Sequence, residues 1–228
     1  MVFKNALSDQ QLNMLKIIYE ECASDEDLTQ SRTRDGMTRK NNVYKIPKQY
    51  WASIIEMIHS ATNLDRNCKF ENLQFYKIQR PYHLHTDTGL SNIVSYRQGV
   101  IPLEVEPKVP TYTLILNEKA YFSSELVHKL FNKQPDYKPF YNIPILEPSF
   151  FEGWKDEYMI SDEDCQRFWK NDWKMYKEVY KGFSLDTVYE WNPGDILTFS
   201  RTRAHAATSL DAAGIDYKIG LLFLTYYD

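Results

Sequence analysis

Two histidines and an aspartate lie two residues apart in the stretch RPYHLHTDTGL: His83, His85 and Asp87. On a strand all three side chains would point to one face, because strand side chains alternate with a period of two. Imidazoles and carboxylates are metal ligands. Two neutral imidazoles and one carboxylate suit a mononuclear Fe(II) site that keeps positions open for O2 and a co-substrate. H-x-D is too short to establish such a site alone, so a third ligand has to come from elsewhere in the chain.

Three other histidines are available. His59 lies in an early helical region, and His128 sits in SSELVHKLF, also expected to be helical. His205 falls in WNPGDILTFSRTRAHAATSL, directly after an apolar strand and its turn. Only His205 has the required setting, in which a rigid strand delivers a polar residue to the mouth of a sandwich. Thirteen residues later Lys218 interrupts the apolar strand YKIGLLFLTYY. A lysine there is costly unless it meets an anion; the alternative is an edge lysine that reaches water along its stem. Lys218 shares its strand face with Gly220, Leu222 and Leu224, which reads as the inside of a barrel.

The elements that must carry these residues follow from period and punctuation. SDQQLNMLKIIYEEC predicts a helix with Ser8 and Gln11 as a capping box and Leu12, Leu15, Tyr19 and Cys22 at helical spacing. Residues 24–43 are polar and read as a loop or a partly ordered hairpin. A second helix is expected from Pro47, with Trp51, Ile54, Ile55 and Ile58 as its apolar stripe and His59 near its end. From residue 72 the period becomes two: NLQFYKIQ, TYTLILN, SLDTVYEW, DILTFS and YKIGLLFLTYY are strand-like, with NPGD a turn. Strands after helices, without regular βαβ alternation, predict a mainly β fold with helices packed outside. Residues 118–182 form a long aromatic-rich insertion, a candidate lid. Within it, SDEDCQRFWKNDWKMYKEVYKG predicts one capped helix ending at Gly182. Most of its aromatics are expected to pack.

The gross numbers bound the function. At 228 residues the chain is expected to be a single domain, 1–228. Apolar residues make up 43%, enough for a core, and aromatics an unusual 15%. The net charge of −4 argues against a broad nucleic-acid-binding surface. Cys22, Cys68 and Cys165 are odd in number and far apart, suggesting neither a disulfide framework nor a zinc knuckle. MVFKNALSDQQ has no signal-peptide core, and no apolar run approaches the roughly 18 residues of a membrane span. A soluble protein of a reducing compartment, and hence of the cytoplasm, is the expectation.

The order Tyr76, His85-Thr86-Asp87, His205, Lys218 resembles the Fe(II)/2-oxoglutarate-dependent oxygenases, specifically their prolyl-4-hydroxylase-like branch. The likeness runs from about residue 72 to 226. The chain is also similar in size and style to small members found in tailed-phage genomes, which would place it in a host cytoplasm. The resemblance implies a double-stranded β-helix (jelly roll) core with N-terminal helices bracing the larger sheet. It implies that His85, Asp87 and His205 bind Fe(II), and that Lys218 pairs with the C5 carboxylate of 2-oxoglutarate. Tyr76 would donate its hydroxyl to that co-substrate, with Thr113 and Thr225 as weaker candidates. Where the family often has Ser or Thr two residues after its basic residue, this chain has Gly220, so a second donor must come from elsewhere.

The activity so implied is hydroxylation of a C–H bond in an amino acid, peptide or other small molecule, with O2 consumed and succinate and CO2 released. The resemblance also implies that Asp87 favours hydroxylation or desaturation, since halogenases of this class have Gly or Ala there. His83 would face substrate or support a ligand. Arg80, Arg201 and Arg203 flank the site in sequence and could bind a substrate carboxylate or phosphate; Trp154 is a candidate pocket wall. The competing readings are a non-enzymatic binding module on the same fold, a nucleic-acid dealkylase of the superfamily, and a cupin-type metal enzyme. No arginine follows Arg203, so the dealkylases' R-x5-R is missing, and Lys218 argues against the cupin.

Overall fold

The structure is a computed structural model that describes residues 1–32, 41–79, 84–87, 94–120, 143–144 and 151–227. Helix α1 (Asp9–Ser24) starts at Ser8, whose side chain accepts from the Gln11 N–H while the Gln11 side chain accepts from the Ser8 N–H. This is the capping box read from sequence. Helix α2 (Lys48–Ala61) starts after Pro47. Both bury one stripe, Leu15, Ile18 and Cys22 on α1 and Ile54, Met57 and Ile58 on α2. Each such side chain removed from water contributes about 1.5–3 kcal/mol.

The strands form two antiparallel sheets. The larger holds β1 (Val2–Phe3), β2 (Thr29–Arg32), β3 (Asn41–Lys45), β4 (Lys69–Ile78), β6 (Val94–Glu106), β10 (Ile196–Ser200) and β12 (Tyr217–Tyr227). Their order is β1-β10-β6-β12-β4-β3-β2. The smaller holds β5 (His85–Thr86), β7 (Tyr112–Lys119), β8 (Ile143–Pro144), β9 (Leu185–Glu190) and β11 (Arg203–Ala207), in the order β8-β5-β11-β7-β9. The polar stretch 24–43 supplies the β2–β3 pair, the hairpin alternative of the sequence reading.

Three apolar clusters arrange these parts in layers. Ile219, Leu221 and Phe223 of β12 and Leu73 and Phe75 of β4 pack with the stripes of α1 and α2, so the N-terminal helices brace the larger sheet. Tyr76, Ile78 and Val100 meet Ile115, Tyr189 and Trp191 between the sheets. Leu114 and Leu116 of β7 and Ala204 and Ala206 of β11 face the other way, onto residues 151–183. Period two decides each assignment: odd positions of β12 face the helices, and Lys218, Leu222 and Leu224 face the cavity.

Several elements differ from the sequence expectation: His205 lies within a strand of its own, β11, and not merely after one, and two further differences bear on packing. Strand β6 is not among the strands expected from sequence; it carries Gly99 and Pro102, residue types that weaken a strand interior. Gly99 is needed there, since a Cβ would stand 2.1 Å from the Phe223 ring. Pro102 is tolerated because it lies opposite Gly220, where the β6–β12 register shifts. The helix expected up to Gly182 is broken into α3 (Asp162–Trp169) and α4 (Trp173–Val179), with Lys170 between them at φ 43°. The break lets Trp169 stack on Tyr176 with centroids 5.3 Å apart. In a continuous helix those residues would be separated by roughly 10 Å of rise.

The described part of the 118–182 insertion, residues 151–182, thus packs on the outer face of the smaller sheet; the remainder, including His128, lies outside the described residues. Among the described residues no helix is long and apolar enough to cross a membrane.

Candidate metal centre

β5 and β11 pair antiparallel with His85 directly opposite His205. Residues so paired point to the same face, and here both enter the space between the sheets. Alternation sets the neighbours: Leu84 goes to the outer cluster, and Asp87 lines the cavity with His85. On β11 the small Ala204 and Ala206 face outward and are fully covered, while His205 faces in.

The three side chains are buried, and their ligand atoms lie within 4.8 Å of one another. Asp87 Oδ2 is 3.2 Å from His205 Nε2, and Asp87 Oδ1 is 3.9 Å from His85 Nε2. Both ring nitrogens of His205 face acceptors: Nδ1 lies 3.1 Å from the Arg203 carbonyl, which takes an Nδ1 proton, and Nε2 points at Asp87 Oδ2, where a metal would take the place of the Nε2 proton. Phe199 packs edge-on against this ring, with centroids 4.9 Å apart, and the Gln98 amide lies 3.2 Å from Nε2. Burial by itself would raise the Asp87 pKa. The His205 hydrogen bond and the fields of His85, His205 and Arg201 outweigh it and hold the carboxyl below its ordinary value. The group is therefore an ionised carboxylate between two imidazoles. This donor set, with His205 Nδ1 turned to a carbonyl and Nε2 to Asp87, fits a divalent iron.

Arg201 is almost completely buried. Its Nε donates to the Asp87 carbonyl at 2.8 Å, and its Nη1 pairs with Glu71 at 2.6 Å and donates to the Thr225 carbonyl. The Asp87 N–H in turn donates to the Arg201 carbonyl at 3.1 Å. Instead of facing a substrate, this arginine ties the Asp87 backbone to β4 and β12.

The triad opens into a cavity of about 90 Å³. By this measure a water occupies about 10–15 Å³, so there is room for a small organic acid. Its wall includes Tyr76, Gln98, Thr113, Trp191, Lys218 and Leu222. Lys218 is fully buried, and desolvation lowers its pKa to about 7. Its Nζ lies 3.9 Å over the Trp191 ring.

The structure thus brings His85, Asp87, His205, Tyr76, Thr113 and Lys218 to one cavity. Other candidates go elsewhere. Arg203 pairs with Asp186 at 2.7 Å. Trp154 packs in the outer cluster and donates to the Lys181 carbonyl. The Thr225 hydroxyl donates to the Arg97 carbonyl. His59 sits on α2 with its ring against Phe70. Arg80 and His83 lie outside the described residues. Gln98 and Trp191 were missed as cavity residues. Gln98 belongs to the unrecognised strand β6; Trp191 ends a recognised strand, and its alternation with Tyr189 could have placed it inward.

No family model matches the sequence, and no curated protein matches it. Solved structures do resemble it in fold. A Pseudomonas putida prolyl-4-hydroxylase matches over all of this chain and 92% of its own, at 10% identity and TM-score 0.50. The α-ketoglutarate-dependent carbocyclase SnoK of nogalamycin biosynthesis matches over 100% and 81%, at 10% identity and TM-score 0.52. HygX from Streptomyces hygroscopicus, with nickel and 2-oxoglutarate bound, matches over 100% and 82%, at 9% identity and TM-score 0.51. At these identities the likeness is one of fold.

Proposed function

We propose that the chain is an Fe(II)- and 2-oxoglutarate-dependent oxygenase with a double-stranded β-helix core. It would hydroxylate a C–H bond of an amino acid, peptide or other small substrate. The observation that carries this reading is one cavity that holds both a buried His85–Asp87–His205 cluster and the buried ammonium of Lys218. The solved structures of the same fold include one with 2-oxoglutarate bound.

His85, Asp87 and His205 would hold the metal. Bound together, Fe(II), 2-oxoglutarate and O2 supply the oxidising power for hydroxylation, with the co-substrate ending as succinate and CO2. The chain's own groups do the rest. Asp87 offsets part of the metal charge. The Arg203 carbonyl keeps the proton on His205 Nδ1 and so fixes the ring's orientation. Lys218 pairs with the distal carboxylate of the co-substrate, and Tyr76 offers its hydroxyl to the same ligand. Leu222, Leu224 and Val100 line the cavity and limit water. Asp87 fills the third ligand position, which favours hydroxylation or desaturation over halogenation.

The test is succinate release from 2-oxoglutarate after anaerobic loading with Fe(II) and exposure to O2, for wild type, His85→Ala and Lys218→Ala. Metal-dependent succinate that disappears in both variants supports the reading. Failure of 2-oxoglutarate to bind wild-type protein at all would replace it with that of a binding module.

A further inference from the structure

Lys218 has no carboxylate within ion-pair distance among the described residues, although it is fully buried. What it has is an indole: Nζ stands 3.9 Å from the centroid of Trp191. A ring face is a weak stand-in for an anion, and it holds the ammonium in place without consuming its charge. The other end of the same indole is also engaged. Trp191 Nε1 donates to Thr113 Oγ1 at 2.8 Å. An indole N–H can only donate, so the Thr113 oxygen is the acceptor and its own proton must turn elsewhere. No acceptor takes that proton among the described residues, and Thr113 lines the cavity.

Gly220 completes the arrangement. A Cβ there would meet Tyr76 Oη at 3.0 Å and Trp191 Cη2 at 3.1 Å. The space that a hydroxyl-bearing residue would take at 220 is thus filled by the phenol and the indole. The Thr113 hydroxyl, on the smaller sheet, lines the same cavity from the opposite side.

We propose that Trp191 is the positioning residue of an anion subsite: its face seats the Lys218 ammonium, and its N–H turns the Thr113 hydroxyl proton into the cavity. A carboxylate entering the subsite then receives one ion pair and one hydrogen bond. The inference rests on the functional reading insofar as that carboxylate is the distal one of 2-oxoglutarate.

The experiment is calorimetric titration of 2-oxoglutarate into protein loaded with Mn(II) in place of iron, for wild type, Trp191→Phe, Thr113→Val and the double variant. Phe keeps a ring face for Lys218 and removes the N–H. Each single variant is expected to bind about tenfold more weakly, the effect of one hydrogen bond to a charged group. The double variant should be no weaker than Thr113→Val alone, because both changes remove the same hydrogen bond. A 2-oxo acid without the second carboxylate, such as 2-oxobutyrate, should bind all four proteins equally. Wild type that does not bind 2-oxoglutarate overturns the functional reading. Wild type that binds, with single variants that bind equally well, overturns this inference alone. Additive losses, or equal losses for 2-oxobutyrate, would assign the two residues a merely structural role and also overturn it.

Discussion

His85 and His205 are cross-strand partners in the smaller sheet, directly opposite each other, with ring centroids 4.2 Å apart. Their proximity is a property of strand register and not of chain distance. A slip of one residue in the β5–β11 pair would turn one ring out of the cavity.

Metal binding should therefore be read as stabilisation that depends on both partners. A divalent ion at 100 times its Kd adds about 2.7 kcal/mol to a folded protein that binds it at one site. Wild type should melt higher with Mn(II) or Co(II). His205→Ala should fold and show no such rise, by differential scanning calorimetry with and without the ion. An undiminished rise in the variant would remove His205 from the ligand set.

Arg201 joins the Asp87 carbonyl to Glu71 and β12 from a buried position. Replacing one partner of a buried pair leaves the other without compensation and typically costs about 3–5 kcal/mol. Glu71 is partly exposed, so Arg201→Met is expected at the low end, about 3 kcal/mol, in urea denaturation. Mn(II) affinity should fall as well, since the Asp87 main chain loses its anchor. A variant of unchanged stability would show that the backbone contacts alone hold this loop.

If Lys218 is the anion's partner, as proposed, ligand binding should depend on pH. Burial lowers its pKa to about 7 in the ligand-free protein, whereas an unfolded lysine titrates near about 10.4. Between these values the unfolded chain holds more protons, so ligand-free stability should rise with pH across that window. Below about pH 7 the ammonium is charged in both states and its burial cost stands in full. A carboxylate ligand selects the ammonium, so 2-oxoglutarate affinity should be flat at about pH 6 and decline above about pH 7, with proton uptake on binding. Calorimetry in two buffers of different ionisation enthalpy measures that uptake; none at about pH 8 would rule out Lys218 as the anion's partner.

Trp169 is fully buried, stacks on Tyr176 and lies tilted against Tyr180 on the outer face of the smaller sheet. Trp169→Ala should cost about 3–5 kcal/mol through the cavity it leaves. Once a substrate is in hand, its KM should not change. The same split, with a smaller loss of stability, is expected for Trp154→Ala. A raised KM in a variant that keeps its stability would move these aromatics to the pocket.

The sequence by itself determined what depends on local pattern. Ser8 and Gln11 cap α1 because both partners lie within one turn. Period two put Lys218 on the same side as Leu222 and Leu224, and a lone ammonium among them pointed to an anion or to a lysine that reaches water along its stem. His85 and Asp87 were legible as a pair because two residues along a strand share a face, and His205 because a strand and its turn precede it. What only the tertiary structure decided is whatever depends on partners across strands. Pro102 and Gly99 look like breakers until Gly220 and Phe223 are seen opposite them. Trp169 and Tyr176 suit one helix until burial of both rings favours a bend at Lys170. Arg201 and Arg203 look equivalent in the sequence, yet one is a buried strut and the other a surface ion pair, because neighbouring residues at a turn into a strand leave in different directions. Trp191 and Thr113 are far apart in the chain and meet because β9 pairs with β7 in the smaller sheet, and they meet Lys218 because the two sheets face each other, so no local pattern could have joined the three.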